Sequence, residues 1–335
     1  MAVRYTNKID FTNKAMKAAV LHQLGATPTY DDFSAPVASN DQEVVISVKA
    51  ASIKQLDLLK ASGMHYTQYA SLPTVVGVDG VGVLDTGQRV YAMGITGMMA
   101  QQALVTKNRW VMLPDGLDEA VAAALPNALL GSDAALRHRA QVKKGDTVLI
   151  SGATGTTGMM AVQVAKHHGA STVIATGRNP DTLQKLREMG ADEVVSLQQP
   201  DEAIIEQLTT LYERAPIDIV LDYLWGHPIE LILSALKAVK NPRFTRIVTV
   251  GEMAGKSILL ESGLLRSRDI EFIGSGIGSL SPQAIAGYMQ HDMPIMLQLA
   301  ATGKLAIDIE TVPLSAVEQA WSSAAKSGRR IVVTI

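Results

Sequence analysis

The sequence predicts an α/β protein: a doubly wound parallel sheet joined to a second, β-rich unit. Two observations predict this. Beyond about Leu117, short apolar strands alternate with helical stretches, the pattern of parallel strands linked by crossover helices. Before that, from Met16 to Tyr91, strand-like runs follow one another between Gly, Pro and Asp turns, a spacing that favours a small barrel. A third observation joins the two halves. Strand-like sequence returns at the end of the chain, Ile331 to Ile335, so the β-rich unit is expected to be discontinuous.

In order, the barrel strands are Met16–Leu21, Glu43–Ala50, Val81–Leu84 and Gln88–Tyr91. The parallel set begins with Thr147–Ile150, continues with Thr172–Thr176, Glu193–Ser196, Ile217–Asp222 and Arg246–Gly251, and ends with Ile270–Gly274. The expected boundaries are 16–120 with 279–335 for the β-rich domain and 121–278 for the nucleotide-binding domain. Residues 1–15 form an extension, native or appended, with Met16 as an alternative start.

Composition narrows the function. At 335 residues the chain is long enough for two cores, and its net charge of -2 gives no reason to expect nucleic acid or an anionic membrane as partner. No apolar run reaches the roughly 18 residues of a spanning helix, and no secretory leader opens the chain, so the expected compartment is the cytoplasm. Cysteine is absent, which excludes disulfides and thiolate metal sites. The seven histidines show no ligand spacing.

The chemistry is concentrated after the first parallel strand. Thr147–Ile150 leads into Ser151-Gly152-Ala153-Thr154-Gly155-Thr156-Thr157-Gly158, and a helical stripe of Met160, Val162, Val164 and Ala165 follows. In this strand, turn and helix context Ala153-x-Gly155-x-x-Gly158 reads as a variant dinucleotide fingerprint. Small residues let the backbone approach a pyrophosphate, and the helix N-terminus supplies unpaired N–H groups. Thr156 and Thr157 open that helix. About 20 residues past Gly158 the second strand ends in Thr176, Gly177 and Arg178, where an NAD-binding chain carries Asp or Glu. A guanidinium there can pair with a 2′-phosphate, so the expected cofactor is NADPH.

Several segments together carry a family resemblance. Met16–Val20, Ala50–Asp57, the run Leu72-Pro73 to Gly77–Gly82, Val142–Ile150 and Gly190–Val195 resemble, in this order, the medium-chain dehydrogenase/reductase superfamily, and specifically its zinc-free quinone oxidoreductase branch. The resemblance covers about residues 16 to 335 and implies a Rossmann domain, a GroES-like catalytic domain and a homodimer. It also implies reduction of an electrophilic small-molecule acceptor, a quinone or an α,β-unsaturated carbonyl, by hydride from NADPH. Reduction of enoyl thioesters is an alternative, and so is a non-catalytic NADPH-binding sensor or structural protein.

Zinc-dependent relatives hold their metal through Cys and a Gly-His-Glu motif; here that motif reads Gly77-Val78-Asp79, so no metal site is expected. Relatives place a Tyr near the nicotinamide. The matching loop offers Tyr66, with Tyr69 and His65 as rivals. Lys54 stands where relatives commonly have Asn; pointing into the cleft it would stabilise an enolate or pair with Asp57, and pointing outward it would be an ordinary surface lysine, while Asp57 occupies the family's acidic position and is expected to organise the site. Where relatives often carry Thr beside the nicotinamide there is Gly131, followed by Ser132. The later strand ends, Asp222, Tyr223, Trp225, Gly251, Gly274 and Ser275, are expected along the dinucleotide and the acceptor pocket.

Overall fold

A computed structural model describes residues 14–65, 67–324 and 329–335. Two compact units result: the chain up to Ala124 with Ile309–Ile335, and Leu125–Asp308.

The first unit opens with β1 (Ala15–Leu21), β2 (Thr29–Ser34), β3 (Glu43–Ser52), α1 (Gln55–Ala61), β4 (Thr74–Val75), β5 (Asp79–Val83), β6 (Arg89–Gly94) and β7 (Gln102–Met112). After α2 (Glu119–Leu129) and a π-helical segment, Leu130–Ala140, the second unit alternates without interruption. Its elements are β8 (Thr147–Ser151), α3 (Thr156–His167), β9 (Thr172–Gly177), α4 (Pro180–Glu188), β10 (Glu193–Ser196), α5 (Asp201–Arg214), β11 (Ile219–Asp222), α6 (Gly226–Ala238), β12 (Thr245–Thr249), α7 (Ser262–Ser267) and β13 (Ile270–Gly274). Two more helices, α8 (Pro282–Gly287) and α9 (Met293–Ala301), lead to β14 (Ile309–Pro313), α10 (Val317–Ala324) and β15 (Arg330–Thr334).

In the second unit six parallel strands run in the order β10-β9-β8-β11-β12-β13. The order reverses at β8, which pairs with β9 on one side and β11 on the other, and such a switch point leaves a crevice at the carboxyl ends of the strands. All five residues of β8 are buried, as a strand covered by helices on both faces requires. From α3 the buried face is Gly158, Met159, Met160, Ala161, Val162, Val164 and Ala165. Each full burial of such a Val or Met side chain contributes about 1.5–3 kcal/mol.

In the first unit β14-β15-β3-β5-β6-β7 forms a largely antiparallel sheet, and β3 also pairs with β7, which closes it into a barrel. A three-stranded sheet, β2-β1-β4, accompanies it. Ile46, Val48, Val90, Met98, Met99 and Val333 are among the side chains of the barrel core.

The tail differs from its expected assignment. Residues 279–308, expected in the β-rich domain, belong to the second unit, and the return to the barrel begins only at Ile309. The physical reason is specific. The buried hydroxyl of Tyr288 donates to Asp133 Oδ2 at 2.8 Å, Asp133 Oδ1 lies 2.5 Å from His168 Nε2, and Gln163 and Ala306 exchange two hydrogen bonds of 2.9 and 2.8 Å. Among the described residues no helix is long and apolar enough to cross a membrane.

Candidate active site

In the second unit the turn after β8 has three glycines with three different reasons. Gly152 has φ +84°, a left-handed conformation, and a Cβ on it would lie 2.9 Å from Leu224 Cγ. Gly158 sits where a Cβ would come 2.4 Å from the Gly152 carbonyl oxygen, so only a bare backbone lets α3 lie against the turn. At Gly155, by contrast, a Cβ would meet nothing closer than 3.7 Å; the space above it is open to a ligand.

Gly155 is also the N-cap of α3 and supplies no side-chain acceptor. The amides of Thr156, Thr157 and Gly158 therefore stand at a positive helix end without an intrahelical acceptor, an arrangement that fits a pyrophosphate. Ala153 anchors the turn by donating its N–H to the Thr176 carbonyl at 2.8 Å. The Thr176 hydroxyl itself is buried with no hydrogen-bond partner among the described residues, an orphaned polar atom at the strand end beside this turn. One residue beyond Gly177, Arg178 is exposed and forms no ion pair or side-chain hydrogen bond among the described residues. These residues fit a phosphorylated dinucleotide.

The later strand ends divide. Asp222 is fully buried and spends its carboxylate on its own turn, accepting from the N–H groups of Leu224 and Trp225 at 3.1 and 2.9 Å. Burial raises its pKa above the usual carboxylate value, and those backbone donors oppose the rise. Tyr223 is buried too, with its hydroxyl donating to the Gly131 carbonyl at 2.7 Å. Trp225 packs edge-on against Phe272 at 6.2 Å. Asp222, Tyr223 and Trp225, expected along the dinucleotide and the acceptor pocket, make these contacts in bracing the loop. Gly251 is needed where a Cβ would meet the Tyr223 carbonyl oxygen at 2.7 Å. The Gly274 carbonyl accepts from Arg139 Nε at 2.7 Å, and Ser275 N–H donates to the Thr249 carbonyl at 2.8 Å. Ser132, in the π-helical segment, donates to the Ala128 carbonyl of α2 at 2.7 Å.

The first unit holds a buried charge cluster. Lys54 Nζ donates to the Ser52 carbonyl at 2.8 Å and to Asp79 Oδ1 at 2.8 Å, and lies 3.1 Å from Asp57 Oδ2. The side chain is shut off from solvent. Asp57 in turn accepts from the N–H groups of Lys54 at 3.0 Å and Val78 at 2.9 Å. Arg330, buried on β15, completes the set: Nη1 reaches the Ile53 carbonyl at 3.4 Å. Burial pushes the Lys54 ammonium down, but the fields of Asp57 and Asp79 outweigh it and hold its pKa above the ordinary value; for Arg330 burial wins and the net shift is downward.

Lys54 and Asp57 were expected as catalytic residues. In the structure Lys54 is held in a buried cluster by Asp57 and Asp79, and Asp57 accepts from the N–H groups of Lys54 and Val78. The pairing of Lys54 with Asp57 is observed; Asp79 and Arg330 are the partners that sequence reasoning missed.

Tyr66 lies outside the described residues. Of its rivals, His65 Nδ1 is 2.7 Å from the Thr67 hydroxyl. Tyr69 is different: its hydroxyl is buried without a hydrogen-bond partner among the described residues, Lys60 Nζ lies 4.9 Å from its ring centre, and burial, reinforced by the Asp57 charge, pushes its pKa upward. It remains a protonated donor throughout the physiological range.

The comparisons with known proteins agree with this geometry. Residues 156–302 match the family described as zinc-binding dehydrogenase. Over 91% of this chain and 96% of the relative, the sequence is 26% identical to a probable NADPH-dependent quinone reductase of Emericella nidulans. Quinone oxidoreductase of Pseudomonas syringae superposes with a TM-score of 0.80 at 26% identity, covering 96% of this chain and 100% of its own. Together these matches support the medium-chain dehydrogenase/reductase superfamily and, within it, the quinone oxidoreductase branch. Another relative, the Thermus thermophilus quinone oxidoreductase, described also in complex with NADPH, has a TM-score of 0.77 at 26% identity over 96% of this chain and all of its own.

For a superfamily whose matching description names zinc, the donor set here does not fit that ion. With no cysteine in the chain, the carboxylates of Asp57 and Asp79 face an ammonium, and no group of three or more His, Asp or Glu among the described residues is arranged to hold a metal.

Proposed function

We propose that this protein is an NADPH-dependent, metal-independent reductase of quinones or α,β-unsaturated carbonyls. One observation carries the reading. The first-turn amides of α3, which face no side-chain cap, stand beside a strand end that carries the unpaired cation Arg178 and no carboxylate. A pyrophosphate fits the amides, and a 2′-phosphate fits Arg178 through a charge-assisted pair.

The cofactor supplies a hydride to an electron-poor carbon conjugated with oxygen. The protein then has two tasks. It holds the dinucleotide through Thr156–Gly158 and Arg178, and it delivers a proton to the oxygen on which negative charge develops. The Tyr69 hydroxyl suits the second task, since a phenol that stays protonated donates without needing a metal. The Lys54 cluster keeps the neighbouring backbone in place.

Absorbance of NADPH and NADH, followed with EDTA-treated protein and a panel of quinones, enones, enoyl thioesters, aldehydes and alcohols, tests this reading. Consumption of NADPH with quinones or enones is the expected result. Tight NADPH binding with no turnover on any acceptor would instead make the chain a sensor, and activity on alcohols alone would overturn the proposed chemistry.

A further inference from the structure

We propose that Thr154 is a steric gate on cofactor choice, closing to any side chain the position that a carboxylate would need in order to hold the unphosphorylated ribose of NADH. The inference rests on the NADPH reading above and adds a second element to it, exclusion beside attraction.

Gly177 ends β9, at the place where dinucleotide-binding units read the ribose. Its φ lies outside the left-handed range, so the backbone would accept any L-residue. What forbids a side chain is space. A Cβ on Gly177 would lie 2.3 Å from Thr154 Cγ2, 2.8 Å from Thr154 Oγ1 and 3.1 Å from Thr154 Cβ. Rotation of Thr154 about χ1 would relieve the first two contacts. It would leave the third, because Cβ does not move with χ1.

The turn that carries Thr154 has little freedom to retreat. On one side of Thr154, Ala153 is hydrogen-bonded to the Thr176 carbonyl at 2.8 Å; on the other, Gly155 N–H reaches the Gly152 carbonyl at 3.3 Å. Behind them Gly158 already leaves no room for a Cβ. The Thr154 side chain thus occupies the volume into which Asp or Glu at 177 would extend, while Arg178 next to it stays exposed for the 2′-phosphate. Discrimination between two ligands that differ by one phosphate commonly uses a repulsive element as well as an attractive one, and here the two, Thr154 and Arg178, are separable by mutation.

The test is a double-mutant cycle on the full chain, read by thermal melting without nucleotide and by calorimetric titration of NADPH and NADH. Gly177→Ala should lower Tm by more than about 2 °C, and Thr154→Gly, which removes the remaining contact, should restore it in the double variant. Gly177→Asp alone should lose NADPH affinity at least tenfold with no gain for NADH. The pair Thr154→Gly with Gly177→Asp should bind NADH at least tenfold more tightly than Gly177→Asp does. An unchanged Tm in Gly177→Ala, or a single Gly177→Asp variant that binds NADH as well as the double, would overturn the gate. Wild-type protein that binds both cofactors equally would sink the NADPH reading alone, because the Thr154–Gly177 coupling is also measured on stability with no nucleotide present.

Discussion

Arg178 and Tyr69 make their arguments as single residues. An exposed guanidinium without a partner adds little to folding, so Arg178→Ala should leave Tm within about 1 °C of wild type. A charge-assisted hydrogen bond is worth about 1.5–3 kcal/mol, which makes the expected rise in Kd for NADPH roughly 10- to 100-fold, with NADH almost unaffected in parallel titrations. Equal loss for both cofactors would show that Arg178 does not read the phosphate. Tyr69→Phe removes a buried hydroxyl that has no partner among the described residues, so stability should hold or rise slightly. If that hydroxyl delivers the proton, kcat with an enone should fall by about 10²–10⁴ while NADPH affinity stays unchanged; unaltered kcat would move the role to Tyr66 or to water.

At the level of elements, the strand, turn and helix of β8 and α3 were legible because three independent signals coincide: a buried apolar run, small residues at fixed spacing and a 3.6-residue stripe. Gly158→Ala is the sharpest probe of that unit. Its methyl group would collide with backbone, 2.4 Å from the Gly152 oxygen and 2.6 Å from Ala153 Cα, and backbone cannot swing aside as a side chain can. Overpacking of this kind costs about 1–3 kcal/mol, so a lowered denaturation midpoint is expected together with weaker binding of both NADPH and NADH, since the turn itself shifts. Loss of one cofactor only would contradict this. Other elements were not legible. β7 spans Gln102–Met112 but carries exposed Lys107, Asn108 and Arg109 in its middle, which break the alternation that marks a strand. Helices α8 and α9 show helical stretches in sequence, yet an apolar stripe says that a helix packs and not on which unit. Tyr288 binding Asp133, 155 residues away, settles that, and no local pattern encodes it.

The same limit governs the barrel as a whole, where the decisive contacts join distant parts of the chain. Sequence reading suggested the pairing of Lys54 with Asp57, three positions on, but Asp79 and Arg330 enter only once β5 and β15 are folded against α1. Because β15 comes from the segment that returns after the second unit, this cluster ties the two ends of a discontinuous domain together. Removing the cation leaves two buried carboxylates without the ammonium that offsets them, so Lys54→Met should destabilise the protein by about 3–5 kcal/mol in denaturant titration, with the increased hydrogen exchange confined to barrel segments. The pH dependence has a defined sign. The Lys54 pKa is held above its unfolded value of 10.5, so its contribution is complete below that pH and is lost as pH rises through the higher folded value. The stability gap between wild type and Lys54→Met should therefore stay constant from pH 7 to about 10 and shrink only in more alkaline solution. A gap that already narrowed between pH 7 and 9 would mean that Lys54 is not held charged by Asp57 and Asp79.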